Sequence, residues 1–327
     1  MGGRDIWMVG FPFLFYGLFF LSLVFSGRVA SPGRGLAGQA RLRLGQVGAL
    51  LVLLAVIYLF ASLLVHVKDF TDFFTSIMPR TPNFIFRGAL LFLTTMALLY
   101  GIEVLGRVAL FLLPVVILFL LGGILGNLPS FEPGNLLPFM ERGWDSLIKS
   151  GFLQISYTSE LFALGFLAAF PGYGGREVRR ASYLGLLMVV GLFFLISIFL
   201  IGVIGESYTI RSNFKLFSLF QYGLKNSTTG FESLFIVVWV TVFFVKSALL
   251  QGAIGTALGE ITPLKPGLYH ITAGIAAFII TFFVFNNRME LLQFYTGIYP
   301  PVSLSFTLLF LLLLYLFSGK DKKAANK

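Results

Sequence analysis

Nine apolar segments of membrane length follow one another along this chain, at about 6–25, 47–68, 84–100, 107–125, 152–170, 182–204, 234–258, 268–286 and 298–318. Hydrocarbon offers the backbone no hydrogen-bond partner, so a spanning segment must be a helix or part of a closed barrel. Each segment has helix length, and none shows the ~10-residue dyad alternation of a barrel strand. The fold class expected is an all-α polytopic membrane protein, a single transmembrane domain over residues 1–327 with a basic cytoplasmic tail at 319–327. A charged fraction of 12% supports this, because a soluble domain carries roughly twice as much.

The absence of cysteine excludes disulfides, thiolate metal sites and cysteine nucleophiles. Two histidines, His66 and His270, argue against a histidine-rich metal centre, and no cofactor is called for. No His–Asp cluster or repeated acidic motif suggests a membrane enzyme, so no catalytic residue is assigned. The net charge of +10 sits in short loops between apolar segments, which is a topology signal and not a nucleic-acid surface. Thirteen basic residues fall on the side of the loop after the first segment, against nine in the longer loops opposite. The positive-inside rule then places the C-terminus in the cytoplasm and Met1 outside. The first segment is too long for a signal-peptide core and lacks a small-residue cleavage site before Arg28. A chain starting outside with an uncleaved span is unusual, and a further span upstream of Met1 is one explanation. The loops at 129–145 and 205–232 are long enough for short surface helices, or are plain connections.

Two ionisable side chains are placed deep in apolar segments. Glu160 follows Ser156, Tyr157, Thr158 and Ser159 in the fifth segment. A charge at the bilayer centre costs at least about 2.5–3.5 kcal/mol on insertion scales, which makes it a functional-site hypothesis. Hydroxyl side chains satisfy backbone groups freed when a membrane helix is interrupted, and interrupted helices build many transporter sites. One reading has residues 155–160 unwound around a small polar cavity. The other has a continuous helix whose hydroxyls bond back to the preceding turn, with Glu160 paired to a neighbour. Lys246 lies mid-way along the seventh segment, too deep to reach the surface fully, and Glu160 is its natural partner. Lys246 with Ser247 stands either as a cation or proton site or as half of an inert pair. Gln251 extends the polar stripe, and Gly252 and Gly255 permit close helix contact.

The stretch Pro79-Arg-Thr-Pro82, then Gly101-Ile-Glu-Val-Leu-Gly-Arg107, Asn135-Leu-Leu-Pro138, the Ser159-Glu160 pair and Lys246-Ser247, resembles the spore germination permease family. These are the B subunits of nutrient germinant receptors, within the amino acid–polyamine–organocation superfamily. The likeness runs from Gly3 to about Lys322. It implies a five-plus-five inverted-repeat transporter fold (LeuT-like), the first repeat at about 1–128 and the second at about 150–318. The first segment here aligns with the family's second, so the family's first helix and half of its ligand site are missing and nine transmembrane helices remain. A truncated gene model, a misplaced start codon and a true nine-span protein are all compatible with that register.

The resemblance implies a permease-like subunit that binds a small nutrient (an amino acid first, or a sugar or nucleoside) at a midplane site and triggers germination. Ser156, Tyr157, Thr158, Ser159 and Glu160 are the ligand-binding candidates. Lys246, with Glu160 and Ser247, is the ion-pair or coupling candidate. Implied partners are a large membrane A-type subunit, a C-type lipoprotein and the bilayer of the inner spore membrane. Two alternatives stay open: a proton-coupled amino acid transporter and a ligand-gated ion pathway.

Overall fold

The computed structural model describes residues 3–26, 29, 35–138, 143–167, 176–223, 231–285 and 287–320. Among these residues helices dominate and no strand occurs. Thirteen α-helices follow in order: α1 (Gly10–Val24), α2 (Leu36–Leu44), α3 (Gln46–Ile77), α4 (Asn83–Leu99), α5 (Ile102–Gly126), α6 (Gly143–Thr158), α7 (Phe162–Phe166), α8 (Arg176–Arg211), α9 (Lys215–Gly223), α10 (Phe231–Ile261), α11 (Pro266–Ile280), α12 (Arg288–Thr296) and α13 (Tyr299–Leu316). Six helical stretches are long and apolar enough to cross a membrane: Asp5–Val24, Gln46–Ile77, Ile102–Ser130, Arg176–Arg211, Phe235–Ile261 and Tyr299–Leu316. Two shorter apolar helices, α4 and α11, accompany them. All nine apolar segments of the sequence fall on helices, the fifth on the interrupted pair α6 and α7.

The boundaries moved in one informative place. The second segment is expected to end at about residue 68; α3 instead continues to Ile77. Its last turns carry Lys68, Asp69 and Asp72, and each is paired: Lys68 Nζ with Asp72 Oδ1 at 2.5 Å, and Asp69 Oδ1 with Arg288 Nη1 at 2.9 Å. Pairing lets a helix run past the point where hydropathy falls, since buried charges are tolerated when partnered. The long loops contain short helices as well, 3-10 turns at Leu128–Ser130 and Pro133–Leu136, and α9.

The chain divides into two compact units. One comprises Met1–Gly17, Arg107–Ile155 and Leu184–Val242. Its core packs Ile124, Phe199, Leu200, Val203, Ile204 and Leu219, with Phe131 against them. Inside this unit α8 is broken at Gly205, whose φ of 73° and ψ of 166° suit glycine alone. A break frees carbonyls from the i−4 ladder. The carbonyl of Gly202 accepts instead from Glu132 N at 2.9 Å and Asn135 Nδ2 at 3.1 Å.

The second unit comprises Leu18–Gly106, Ser156–Tyr183 and Phe243–Lys327. Here α4 packs on α3 and α11. Gln251 of α10, fully buried, ties three elements: Thr94 Oγ1 donates to its Oε1 at 2.8 Å, and its Nε2 donates to Thr95 Oγ1 at 2.7 Å and to the His270 carbonyl at 2.6 Å. The close approach needs Gly255, where a Cβ would lie 2.1 Å from His270 Nδ1. The short helix α2 is held at its start by Glu260, which accepts from Gly35 N at 2.8 Å and Gly38 N at 2.5 Å. Arg41 donates to the Ile261 carbonyl at 2.6 Å and Arg43 to the Leu314 carbonyl at 2.8 Å. A carboxylate on the orphan N–H groups and arginines near the C-terminal end both complement the helix dipole.

Candidate functional site

Residues 155–160 do not unwind. The α-helix α6 runs through Thr158, a 3-10 turn covers Ser159–Leu161, and α7 resumes at Phe162. Tightening to i→i+3 bonding changes the helical pitch without exposing a run of bare carbonyls. The side chains of Ser156, Tyr157, Thr158 and Ser159 lie outside the described part of the structure. Glu160 occupies the 3-10 turn itself.

The carboxylate of Glu160 is engaged on both oxygens. Oε2 forms an ion pair with Lys246 Nζ of α10. Oε1 accepts from the Tyr299 hydroxyl at 2.8 Å, at the first residue of α13. The Tyr299 oxygen lies 3.0 Å from Ser62 Oγ of α3, and Ser62 Oγ also donates to the Tyr58 carbonyl at 3.1 Å. Tyr299 has one proton and directs it at Glu160, so the Ser62 proton is shared between the phenol oxygen and the Tyr58 carbonyl. One acid thus joins the interrupted helix to α3, α10 and α13.

Aromatic rings surround this polar set. Tyr58 stacks on Tyr299 with centroids 6.2 Å apart, and Phe162, fully buried, packs against Tyr58 and Phe310. His66, one turn after Ser62 on α3, lies flat on Phe243 at 4.2 Å, one turn before Lys246 on α10. Its Nε2 is buried and meets no hydrogen-bond partner among the described residues, and Lys246 lies within electrostatic reach. The pair is lopsided in exposure: the Glu160 side chain is 8% accessible and that of Lys246 32%. Low-dielectric walls strengthen the attraction between the two charges.

The pairing of Glu160 with Lys246 expected from the sequence is present in the structure. Ser247 stands apart: it is fully buried, its Oγ meets no partner among the described residues, and it follows Lys246 by about 100° around the helix. Gln251 serves the cross-tie between α4, α10 and α11. Three contributors were missed, Ser62, His66 and Tyr299. Serine and tyrosine in apolar helices are too common to signal a site, and His66 had been weighed only as a metal ligand. The one available cue was spacing, since Tyr58, Ser62 and His66 recur every four residues on one face of α3.

A protein-family model for spore germination proteins, the spore permease family, matches residues 7–290. The chain belongs to that family. The match includes Ser62, His66, Glu160 and Lys246, whereas Tyr299 lies beyond its end. A search of curated proteins returns no match. The family is one of permease-like germination proteins and not an enzyme class.

Proposed function

We propose that the chain is the permease-like subunit of a spore nutrient germinant receptor and that Glu160, with Lys246 and Tyr299, forms its ligand site. The observation that carries the reading is the ion pair at the interrupted helix: an acid held by a removable cation and a hydroxyl. A ligand ammonium that takes Glu160 from Lys246 keeps the acid paired, and the released lysine, with a third of its side chain accessible, bears the cost. A hydroxylated nutrient exchanges for the Tyr299 hydrogen bond in the same way. An amino acid is the first choice, with sugars and nucleosides behind it. Because Glu160 connects four helices, exchanging its partner shifts the balance between two arrangements of them, which is the property a sensor needs. The subunit works at the inner spore membrane with a large A-type membrane subunit and a C-type lipoprotein, and its C-terminus faces the cytoplasm.

Spores carrying Glu160→Gln in place of the natural residue provide the test, with protein level checked by immunoblot. Nutrient-triggered loss of refractility is expected to fall at least tenfold at equal protein level. A wild-type response would remove Glu160 from the sensing site.

A second reading, a proton-coupled amino acid transporter, draws on the hydrogen-bonded series Ser62–Tyr299–Glu160–Lys246, in which the Lys246 ammonium can give a proton to Glu160 and the two hydroxyls extend the series beyond the carboxylate. Uptake of labelled amino acid by liposomes under an imposed pH gradient decides for it, and uptake indifferent to the gradient decides against it. A ligand-gated ion pathway is the third form, read out as nutrient-evoked current in planar bilayers.

A further inference from the structure

The short helix α2 holds the same four helices that meet at Glu160, at a second place along each. Gly45 alone separates it from the start of α3. Glu260, in the last turn of α10, accepts from Gly35 N and Gly38 N, and Arg41 donates to the carbonyl of Ile261, the final residue of that helix. Arg43, buried, donates to the Leu314 carbonyl in the last turn of α13. Leu36, also buried, lies so close to Gly165 of α7 that a Cβ there would collide with its Cδ1. Both α10 and α13 run toward α2 from the residues they give to the cluster, Lys246 and Tyr299, and α3 runs from α2 to Ser62. At ~1.5 Å rise per residue these three arms are about 21–24 Å long, and α7 is a shorter one. All of these residues belong to the second unit.

Packed rings fill the space between the two ties. Tyr58 stacks on Tyr299 and meets Phe162. Phe162 packs on Phe166 with centroids 4.9 Å apart and on Phe310 at 5.0 Å, and Phe166 lies 5.8 Å from Phe310. These three phenylalanines are fully buried, and Phe166 follows the Gly165 on which Leu36 rests. A close-packed interior deforms little, so a tilt of α7 or α13 that opens one tie moves the rings against the other. The polar ties at α2 are hydrogen bonds to helix ends, which open locally at lower cost than core packing.

We propose that α2 is a clamp on the Glu160 cluster: the hydrogen bonds of Glu260, Arg41 and Arg43 and the Glu160–Lys246–Tyr299 set open and close together. Breaking either loosens the other, since coupling between two equilibria is reciprocal. The clamp acts whether or not a nutrient occupies Glu160, so its test needs no ligand and is decided separately from nutrient binding.

Two readouts on the purified full chain in detergent micelles test the coupling. Trypsin cleavage after Arg41 and Arg43, resolved by mass spectrometry, follows the open population of α2. The chain has no cysteine, so Ser303→Cys supplies a single thiol at a buried position, one turn beyond Tyr299 on the α2 side. Its alkylation by a maleimide reports opening next to the cluster. Glu160→Gln is expected to raise cleavage in α2 at least threefold, and Tyr299→Phe takes its place where the glutamine variant does not fold. Glu260→Ala, or the milder Glu260→Gln, is expected to raise alkylation of the Ser303→Cys thiol at least threefold. Ile124→Ala, which opens a cavity in the core of the first unit and touches neither tie, is expected to leave both rates within twofold of wild type. Unchanged rates in the Glu160 and Glu260 variants would make α2 and the cluster independent and overturn the proposal. A rise in one direction alone breaks the reciprocity and overturns it as well, and so does an equal rise with Ile124→Ala, which assigns the effect to general loosening.

Discussion

Glu160 and Lys246 are unequal partners, and the inequality is measurable. Replacing Lys246 by methionine leaves a carboxylate only 8% exposed, with the Tyr299 hydroxyl as its remaining donor. Removing one partner of a buried ion pair costs about 3–5 kcal/mol, and partial exposure puts this case at the low end, about 3 kcal/mol. Replacing Glu160 by glutamine leaves a lysine with a third of its surface accessible and an amide oxygen that still accepts from Tyr299, for a loss of about 1 kcal/mol. Thermal melting in one detergent is expected to rank Lys246→Met below Glu160→Gln; the reverse order would mean that the lysine, not the acid, is the buried member. Tyr299→Phe removes a hydrogen bond to a charged group and is expected to cost about 1.5–3 kcal/mol while leaving the ion pair in place. An unchanged melting temperature for that variant would detach Tyr299 from the set. Single residues were legible in proportion to their oddity. A charge in an apolar segment is conspicuous, so Glu160 and Lys246 were found. Arg87 stands only about one turn into its segment, where a basic residue passes for an interfacial one.

At the level of elements, hydropathy located every apolar helix but misjudged where polar residues sit inside one. The second segment runs a further two turns and more because Lys68, Asp69 and Asp72 each find a partner, and pairing across distant positions such as 69 and 288 is invisible to a linear scan. The hydroxyl-rich run before Glu160 fits either an unwound stretch or a continuous helix, and the backbone stays helical with a 3-10 turn at Ser159–Leu161. Both outcomes satisfy the backbone, and a run of hydroxyls does not distinguish them. The short helix α2 went unremarked because its anchor, Glu260, lies more than two hundred residues away. That anchor carries its own prediction. Glu260→Ala leaves the N–H groups of Gly35 and Gly38 without their acceptor, a loss of about 0.5–2 kcal/mol by comparison with helix caps. Local opening of α2 then rises several-fold, and trypsin is expected to cut after Arg41 and Arg43 faster than in wild type, followed by mass spectrometry of the fragments. Equal cleavage rates would show that α2 is held by its packing and by Arg41 and Arg43 alone.

For the molecule as a whole, the all-α class, the membrane character and the family were legible from the sequence, because nine apolar segments and a handful of ordered motifs survive without any knowledge of contacts. The site was half legible. Its two charges declared themselves, while the ring of Tyr58, Ser62, His66 and Tyr299 depends on helices α3 and α13 coming to the same place. Such convergence is a property of the fold. The resulting arrangement is one acid shared among four helices. The most direct test is binding of radiolabelled nutrients to purified protein in lipid nanodiscs, with a panel of L-amino acids, sugars and nucleosides compared between wild type and Glu160→Gln. Wild type is predicted to bind at least one member saturably, and Glu160→Gln to bind it at least tenfold more weakly while keeping its helical content. Equal affinity in the two proteins would contradict the assignment of Glu160 as the centre of the ligand site.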